Sequence, residues 1–264
     1  MGRPAIERIL FGTARSFEWA TPSLLRWGPR SSDVWRATLL ASPTQQRALA
    51  GLLSADEHSR ASRFHFARDR RRYTVSRALL RLLLARYLER PARQIEFDYS
   101  EQGKPLLRTG STKDELSFNL SHSEDLVVYA IARTPAIGVD VEHVRPHVDV
   151  DALAQVVLTP AEQEILRRVR QADRHRSFVV LWTLKEAYLK ALGLGLSLPP
   201  RSVDLTTAEP ASAACAIRLP GPNGTTFICT LLAAEEYALA LAVSGEAEIR
   251  CYDWTWAQHA MPDA

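Results

Sequence analysis

Six residues, Ile137-Gly138-Val139-Asp140-Val141-Glu142, alternate between apolar or small and acidic side chains. A period of two belongs to a β-strand, and it sends Asp140 and Glu142 to one face and Ile137, Val139 and Val141 to the other. Any fold that contains this strand must bury one face. It must also give two carboxylates, about 6.5–7 Å apart at Cα, something to meet on the other. About forty residues later, Trp182-Thr183-Leu184-Lys185-Glu186-Ala187-Tyr188-Leu189-Lys190 reads as an apolar helix with Glu186 and Lys190 one turn apart. Three carboxylates able to converge, with a lysine beside them, describe a hard-cation site for handling phosphates. Taken singly, the same residues describe an exposed strand edge and an ordinary Glu–Lys helix pair. The apolar run from Val179 to Trp182 implies a buried helix, where unpaired charges are costly.

With 264 residues the chain can bury one large core or two modest halves. Cys215, Cys229 and Cys251 show no CxxC spacing and fit neither a disulfide framework nor a zinc site, so free thiols in a reducing cytoplasm are expected. The N-terminus lacks the apolar run of a signal peptide, and no segment approaches the ~20 apolar residues of a membrane span. Charge is unevenly placed. Eleven arginines against four acids lie between Asp56 and Arg93, a block that suits a polyanion or equally the solvated face of a long helix.

Residues 1–32 carry little periodicity and read as an extension packed loosely on the body. A strand over 34–40 is followed by a helix opened by Ser42-Pro43, then by a capping box at Ser54-Ala55-Asp56-Glu57. A long helix over 68–90 presents Tyr73, Ala78, Leu79, Leu82, Leu83 and Tyr87 as its core face, with Pro91 beyond its end. Strands are expected over 95–99, 117–120, 126–132 and 137–142. A second capping box, Thr159-Pro160-Ala161-Glu162, opens a helix, and another over 173–192 is stopped by Gly193 and Gly195. Further strands are expected over 203–205, 216–219, 227–232 and 237–243. Helices followed by strands occur on both sides of Thr134-Pro135. The expected fold is α+β, with two similar halves, 1–134 and 135–264, and a site between them.

Two more motifs bear on that site. Gly103-Lys104-Pro105 lies in a loop before a strand and reads as a turn when taken alone. Phe118-Asn119-Leu120-Ser121-His122-Ser123 brings polar side chains out of an apolar strand, where a histidine serves either as a turn residue or as a ligand contact. In this order, Gly-Lys-Pro, Phe-Asn-Leu-Ser-His-Ser, Ile-Gly-Val-Asp-Val-Glu and Trp-Thr-Leu-Lys-Glu-Ala-Tyr-Leu-Lys-Ala-Leu-Gly resemble the 4′-phosphopantetheinyl transferases, most of all the surfactin-synthetase-activating (Sfp-like) subfamily. The likeness runs from about Ser54 to Pro199. It takes in Arg63-Phe64, Asp69, Leu79-Leu80-Arg81 and Gly195-Leu196-Ser197-Leu198-Pro199.

The resemblance implies a pseudo-dimeric monomer that moves the phosphopantetheine arm of coenzyme A (CoA) onto a serine of an apo acyl or peptidyl carrier protein. Adenosine 3′,5′-bisphosphate leaves. It assigns Asp140, Glu142 and Glu186 to Mg²⁺ (or Mn²⁺), Lys190 to the pyrophosphate, Ser121 and His122 to CoA phosphates, and Lys104 to a position along the CoA. Arg60 and Arg72 would meet the 3′-phosphate. Glu186, Lys190 and His122 form the implied catalytic set, with Glu186 the candidate base for the serine proton. Some relatives carry a second basic residue three before Arg60; this chain has Glu57 there, which thins the expected phosphate clamp. The carriers would belong to polyketide, non-ribosomal-peptide or fatty-acid synthesis, and Arg167 to Arg176 would offer them a basic surface. A non-catalytic CoA-binding module of the same fold would be expected to lack a metal carboxylate or Lys190, and all are present. Nucleic acid is not expected as a partner, because three acids beside a phosphate backbone repel it without a metal.

Overall fold

Capping chemistry sets where the helices begin. Ser42 opens α2 (Pro43–Ala50) and Thr159 opens α6 (Pro160–Arg168), each with Pro in the first turn and a reciprocal side-chain cap from Gln45 or Glu162. At the start of α3 (Ala55–Ser62), the Glu57 carboxylate accepts from the Ser54 amide at 2.9 Å. The computed structural model describes residues 4–11, 17–22, 28, 30–101, 103–108, 116–145, 149–193, 198–213, 215–232, 234 and 236–256. Gly195, Leu196 and Ser197 of the expected motif lie outside them.

The remaining helices are α1 (Ala5–Phe11), α4 (Ala67–Leu88), α5 (Val150–Val157) and α7 (Gln171–Leu192). Two five-stranded sheets carry the rest. One runs β1 (Trp19–Ala20), β12 (Glu248–Asp253), β2 (Ser31–Thr38), β6 (Leu126–Ala132) and β5 (Ser117–Ser123). The other runs β7 (Ile137–His143), β11 (Tyr237–Ser244), β10 (Thr226–Leu232), β9 (Ala216–Pro220) and β8 (Glu209–Pro210). A small ribbon pairs β3 (Phe97–Tyr99) with β4 (Pro105–Leu107). This is the expected α+β architecture of two sheet-and-helix halves: α4 covers the first sheet and α7 the second.

Helix α4 buries more than the expected face. Val75, Leu80 and Leu84 are as dry as Ala78, Leu79 and Leu83, while Tyr73, Leu82 and Tyr87 are only half-buried. Helices α2 and α3 pack on it from outside, so a single stripe does not suffice. Arg77 and Arg81 are consequently inside. Arg81 donates to Glu57 at 2.7 Å and to the carbonyls of Ala92 and Ile95, and Arg77 lies 3.5 Å from the same carboxylate. Glu57 is therefore the buried counter-ion of two arginines rather than a gap in a phosphate clamp.

The chain ends cross between halves. Residues 4–11 are not the loosely packed extension expected of them, because α1 buries Ile6 and Ile9 in the core beside α7. At the other end, β12 leaves the second half and pairs parallel with β2. No strand forms over 203–205; the segment joins two short 3₁₀ turns, Pro200–Ser202 and Leu205–Thr207, with the Asp204 side chain capping the second. All three cysteines are free and buried, and burial pushes the Cys251 thiol up to about 12. No helix among the described residues is long and apolar enough to cross a membrane.

Candidate functional site

The edge strands of the two sheets, β5 and β7, meet through side chains. Period-two alternation along β5 puts Asn119, Ser121 and Ser123 on one side, and each reaches across the junction. Asn119 Oδ1 accepts from the Val139 amide at 2.9 Å, Ser121 Oγ donates to Asp140 Oδ1 at 2.9 Å, and Ser123 Oγ donates to Glu142 Oε2 at 3.1 Å. Ser123 also accepts from the His143 amide at 3.1 Å. The polar Asn-x-Ser-x-Ser pattern is thus a seam between halves. Asn119 and Ser123 escaped the residue-by-residue reading, although their spacing of two was the signal.

On β7 the alternation holds as expected. Ile137, Val139 and Val141 enter a buried cluster, while Gly138, Asp140 and Glu142 face α7. Their cross-strand partners on β11 are Ala242, Ala240 and Ala238, small enough to let the helix approach. A Cβ on Gly138 would stand 2.1 Å from the Ala187 carbonyl oxygen and 2.4 Å from the Ala191 nitrogen. This contact fixes the neighbouring stripe of α7. Lys190 Nζ reaches Asp140 Oδ1 at 2.6 Å and Ser121 Oγ at 2.9 Å, so Ser121, Asp140 and Lys190 form one hydrogen-bonded knot.

The three expected metal carboxylates converge electrostatically. Burial raises the pKa of Glu142, and the Asp140 charge raises it further. Glu186 is raised by burial first, then by Asp140 and Glu142, with Lys190 opposing. Asp140 is 3% exposed, and its Oδ2 is buried with no hydrogen-bond partner. A buried, partnerless carboxylate oxygen beside two acids that resist ionisation is the donor set a hard cation takes, so the residues fit Mg²⁺. As placed, no three acidic, imidazole or thiol groups among the described residues gather closely enough to ligate one ion, and the Lys190 ammonium balances Asp140 instead.

The basic residues are less uniform. Lys104 donates to the Lys190 carbonyl at 2.9 Å, capping the α7 C-terminus from the other half; burial, then Lys190, lower its pKa. His122 points away from the seam, and burial lowers its pKa before Lys190 and Arg72 add to the effect. Arg72 is largely committed, donating to Asp125 Oδ1 and Glu124 Oε2 at 3.0 Å each. Arg60 stands on α3, off the Asp140 cluster, with its guanidinium over the Tyr99 ring at 5.5 Å. Lys185, inside the helix motif, serves a different end. It is fully buried against Glu162 at 2.5 Å and donates to the carbonyls of Val157 and Pro200. A cavity of about 840 Å³ is lined by none of the three carboxylates; one of about 280 Å³ touches Glu142 and Trp182.

Two α+β halves meet at a seam where Ser121, Asp140 and Lys190 are hydrogen-bonded together, an arrangement that suits an enzyme handling a phosphate ester. Residues 35–134 match the family model of the 4′-phosphopantetheinyl transferase N-terminal region, and residues 136–242 match that of the 4′-phosphopantetheinyl transferase superfamily. The 4′-phosphopantetheinyl transferase HetI of Nostoc sp. is 42% identical, over 67% of this chain and 76% of that protein. A 4′-phosphopantetheinyl transferase of Bacillus subtilis is 30% identical over 78% and 88%, and Sfp of Bacillus subtilis 25% over 77% and 87%. The chain belongs to the 4′-phosphopantetheinyl transferase family. It is a transferase that moves the phosphopantetheine arm of CoA onto carrier proteins.

Proposed function

We propose that the cleft at the β5–β7 seam is the transfer centre, that it works with Mg²⁺ held by Asp140, Glu142 and Glu186, and that one chain suffices. The observation that carries this is Asp140: its buried Oδ2 lacks a partner while its Oδ1 is fixed by Lys190 and Ser121. Residues from both halves supply the site, which supports a monomer of the Sfp-like type acting on polyketide, non-ribosomal-peptide or fatty-acid carriers.

The reaction joins the carrier serine oxygen to the phosphorus bearing pantetheine and breaks that phosphorus's bond to the bridging oxygen. Adenosine 3′,5′-bisphosphate departs with the electron pair. Charge builds on phosphate oxygens, so catalysis rests on positioning and cationic stabilisation. A bound Mg²⁺ would neutralise part of that charge. Lys190, already oriented by Asp140 and Ser121, supplies a fixed ammonium to the pyrophosphate, and Lys104 holds the helix end that carries it. His122 and Arg60 offer further donors to CoA phosphates. Glu186 accepts the serine proton, a task its raised pKa suits.

The test is intact-mass analysis of a panel of apo acyl and peptidyl carriers incubated with the protein, CoA and Mg²⁺. The expected result is a gain of one phosphopantetheine arm, lost with EDTA and with Asp140→Ala. Undiminished transfer by Asp140→Ala would overturn the assignment. CoA binding without transfer to any carrier would favour a non-catalytic module.

A further inference from the structure

The β5–β6 hairpin turns on two residues, Glu124 and Asp125, since Ser123 pairs with Leu126. Glu124 has φ +50°, the left-handed region that hairpin turns normally give to glycine or asparagine and that strains a glutamate. A strained non-glycine persists where surrounding contacts over-determine it, and here they do. Glu124 Oε2 accepts from Arg72 on α4 at 3.0 Å, and Oε1 accepts from Arg145, just past β7 in the other half. Asp125 Oδ1 accepts from Arg72 at 3.0 Å and from Arg71 at 3.1 Å. The turn therefore lies between arginines of both halves and begins two residues after His122.

We propose that Glu124 is a positioning residue for the transfer reaction: it fixes Arg72 beside His122 and ties it through Arg145 to the segment that follows the Asp140–Glu142 strand. The proposal rests on the reading of the cleft as the CoA site. Three guanidiniums against two carboxylates leave the cluster a net positive charge, so it still suits an anionic substrate. Arg72 keeps only 14% side-chain exposure, and fork-like pairing on two sides holds its plane in one orientation. A preorganised cation binds phosphate without first losing rotamer freedom, and that benefit appears in substrate binding rather than in turnover. The carboxyls of Glu124 and Asp125 both lie below their ordinary values, with hydrogen bonding to Arg72 the first cause.

Glu124→Gly separates positioning from folding, because glycine accepts the turn's backbone without strain. The variant should melt no lower than the wild type. Its Kd for CoA by calorimetry and its KM for CoA should each rise by about fivefold or more, with kcat within about twofold. Arg72→Ala should also weaken CoA, and the double variant should be no weaker than Arg72→Ala alone, because the two act through one contact. Unchanged or tighter CoA binding by Glu124→Gly would overturn the proposal, and so would additive effects in the double variant. A wild-type protein that binds no CoA would instead overturn the reading of the cleft, and this proposal with it.

Discussion

Gly138 is the tightest point of the molecule's chemistry, and one methyl group tests it. A Cβ there would meet the Ala187 carbonyl oxygen at 2.1 Å, the Ala191 nitrogen at 2.4 Å and the Lys190 carbonyl carbon at 2.9 Å. All three are helix backbone, so no side chain can swing aside. Ordinary contact lies near ~3.5 Å, so Gly138→Ala must part α7 from β7 by roughly 1 Å. Overpacking of this kind costs ~1–3 kcal/mol, or about 3–10 °C of melting temperature for a chain of this size. The functional loss should be larger. Lys190 Nζ stands 2.6 Å from Asp140 Oδ1, and an added ångström takes it beyond hydrogen-bonding range, about 3.2 Å. Misplacement on that scale costs on the order of 10²-fold in rate. Thermal melts and intact-mass transfer rates at saturating CoA would measure both. Adding Ala187→Gly should rescue neither, since the clash is with the backbone. Wild-type melting and rate for Gly138→Ala, or rescue by Ala187→Gly, would refute the argument.

Glu57→Lys, which would supply the second basic residue found in some relatives, should unfold the first half rather than tighten CoA. It leaves Arg81 and Arg77 buried without their carboxylate, and removing one partner of such a pair costs ~3–5 kcal/mol; a variant that melts like the wild type would contradict this. Without metal, Glu142 and Glu186 hold protons at higher pH when folded than when unfolded, so their contribution to stability falls as pH rises from the ordinary carboxylate value through their raised values. Asp140→Asn removes a cause common to both, and should flatten that part of the melting-temperature profile above the ordinary carboxylate value; an unaltered slope would rule out the coupling. Deletion of residues 246–264 should destabilise the first half although it removes only the end of the second. It strips β12 from β2 and leaves the fully buried Asp33, held by Arg250 at 2.7 Å, without that partner; a cooperative wild-type melt of the truncated chain would refute it.

The parts of this fold legible in the sequence are those decided locally. The Ser42-Pro43 start and the capping boxes at Ser54 and Thr159 placed three helix starts, and alternation over Ile137 to Glu142 placed a strand and both its faces. The meeting of Asp140 with Lys190 followed from the same periodicities, because a strand face and a helix stripe each leave their side chains one direction to take; the three carboxylates share that side without closing around one point among the described residues. What stayed hidden depends on partners distant in sequence. Helix α1 spans 7 residues, too few to show a period, and its burial is visible only once α7 lies beside it. The expected roles of Arg72 and Glu57 failed to foresee their ion pairs for the same reason: nothing in the local sequence says which carboxylate a guanidinium will meet.

The seam shows how the two kinds of information combine. Three polar residues at spacing two on β5 meet the backbone of Val139 and His143 and the carboxylates of Asp140 and Glu142 on β7. Two of the side chains that join the halves, Ser121 and Ser123, are thus the ones that orient the acids. Lys104 adds a second tie, from a loop of the first half to the Lys190 carbonyl in the last turn of α7. Ser121 and Ser123 each fix one carboxylate, while Asn119 and Lys104 fix the backbone that carries Asp140 and Lys190, so the relative placement of the halves and the geometry of the site are tied together. A substitution that loosens the seam must loosen the site, which is why Asn119 and Ser123 matter to the chemistry without carrying charge.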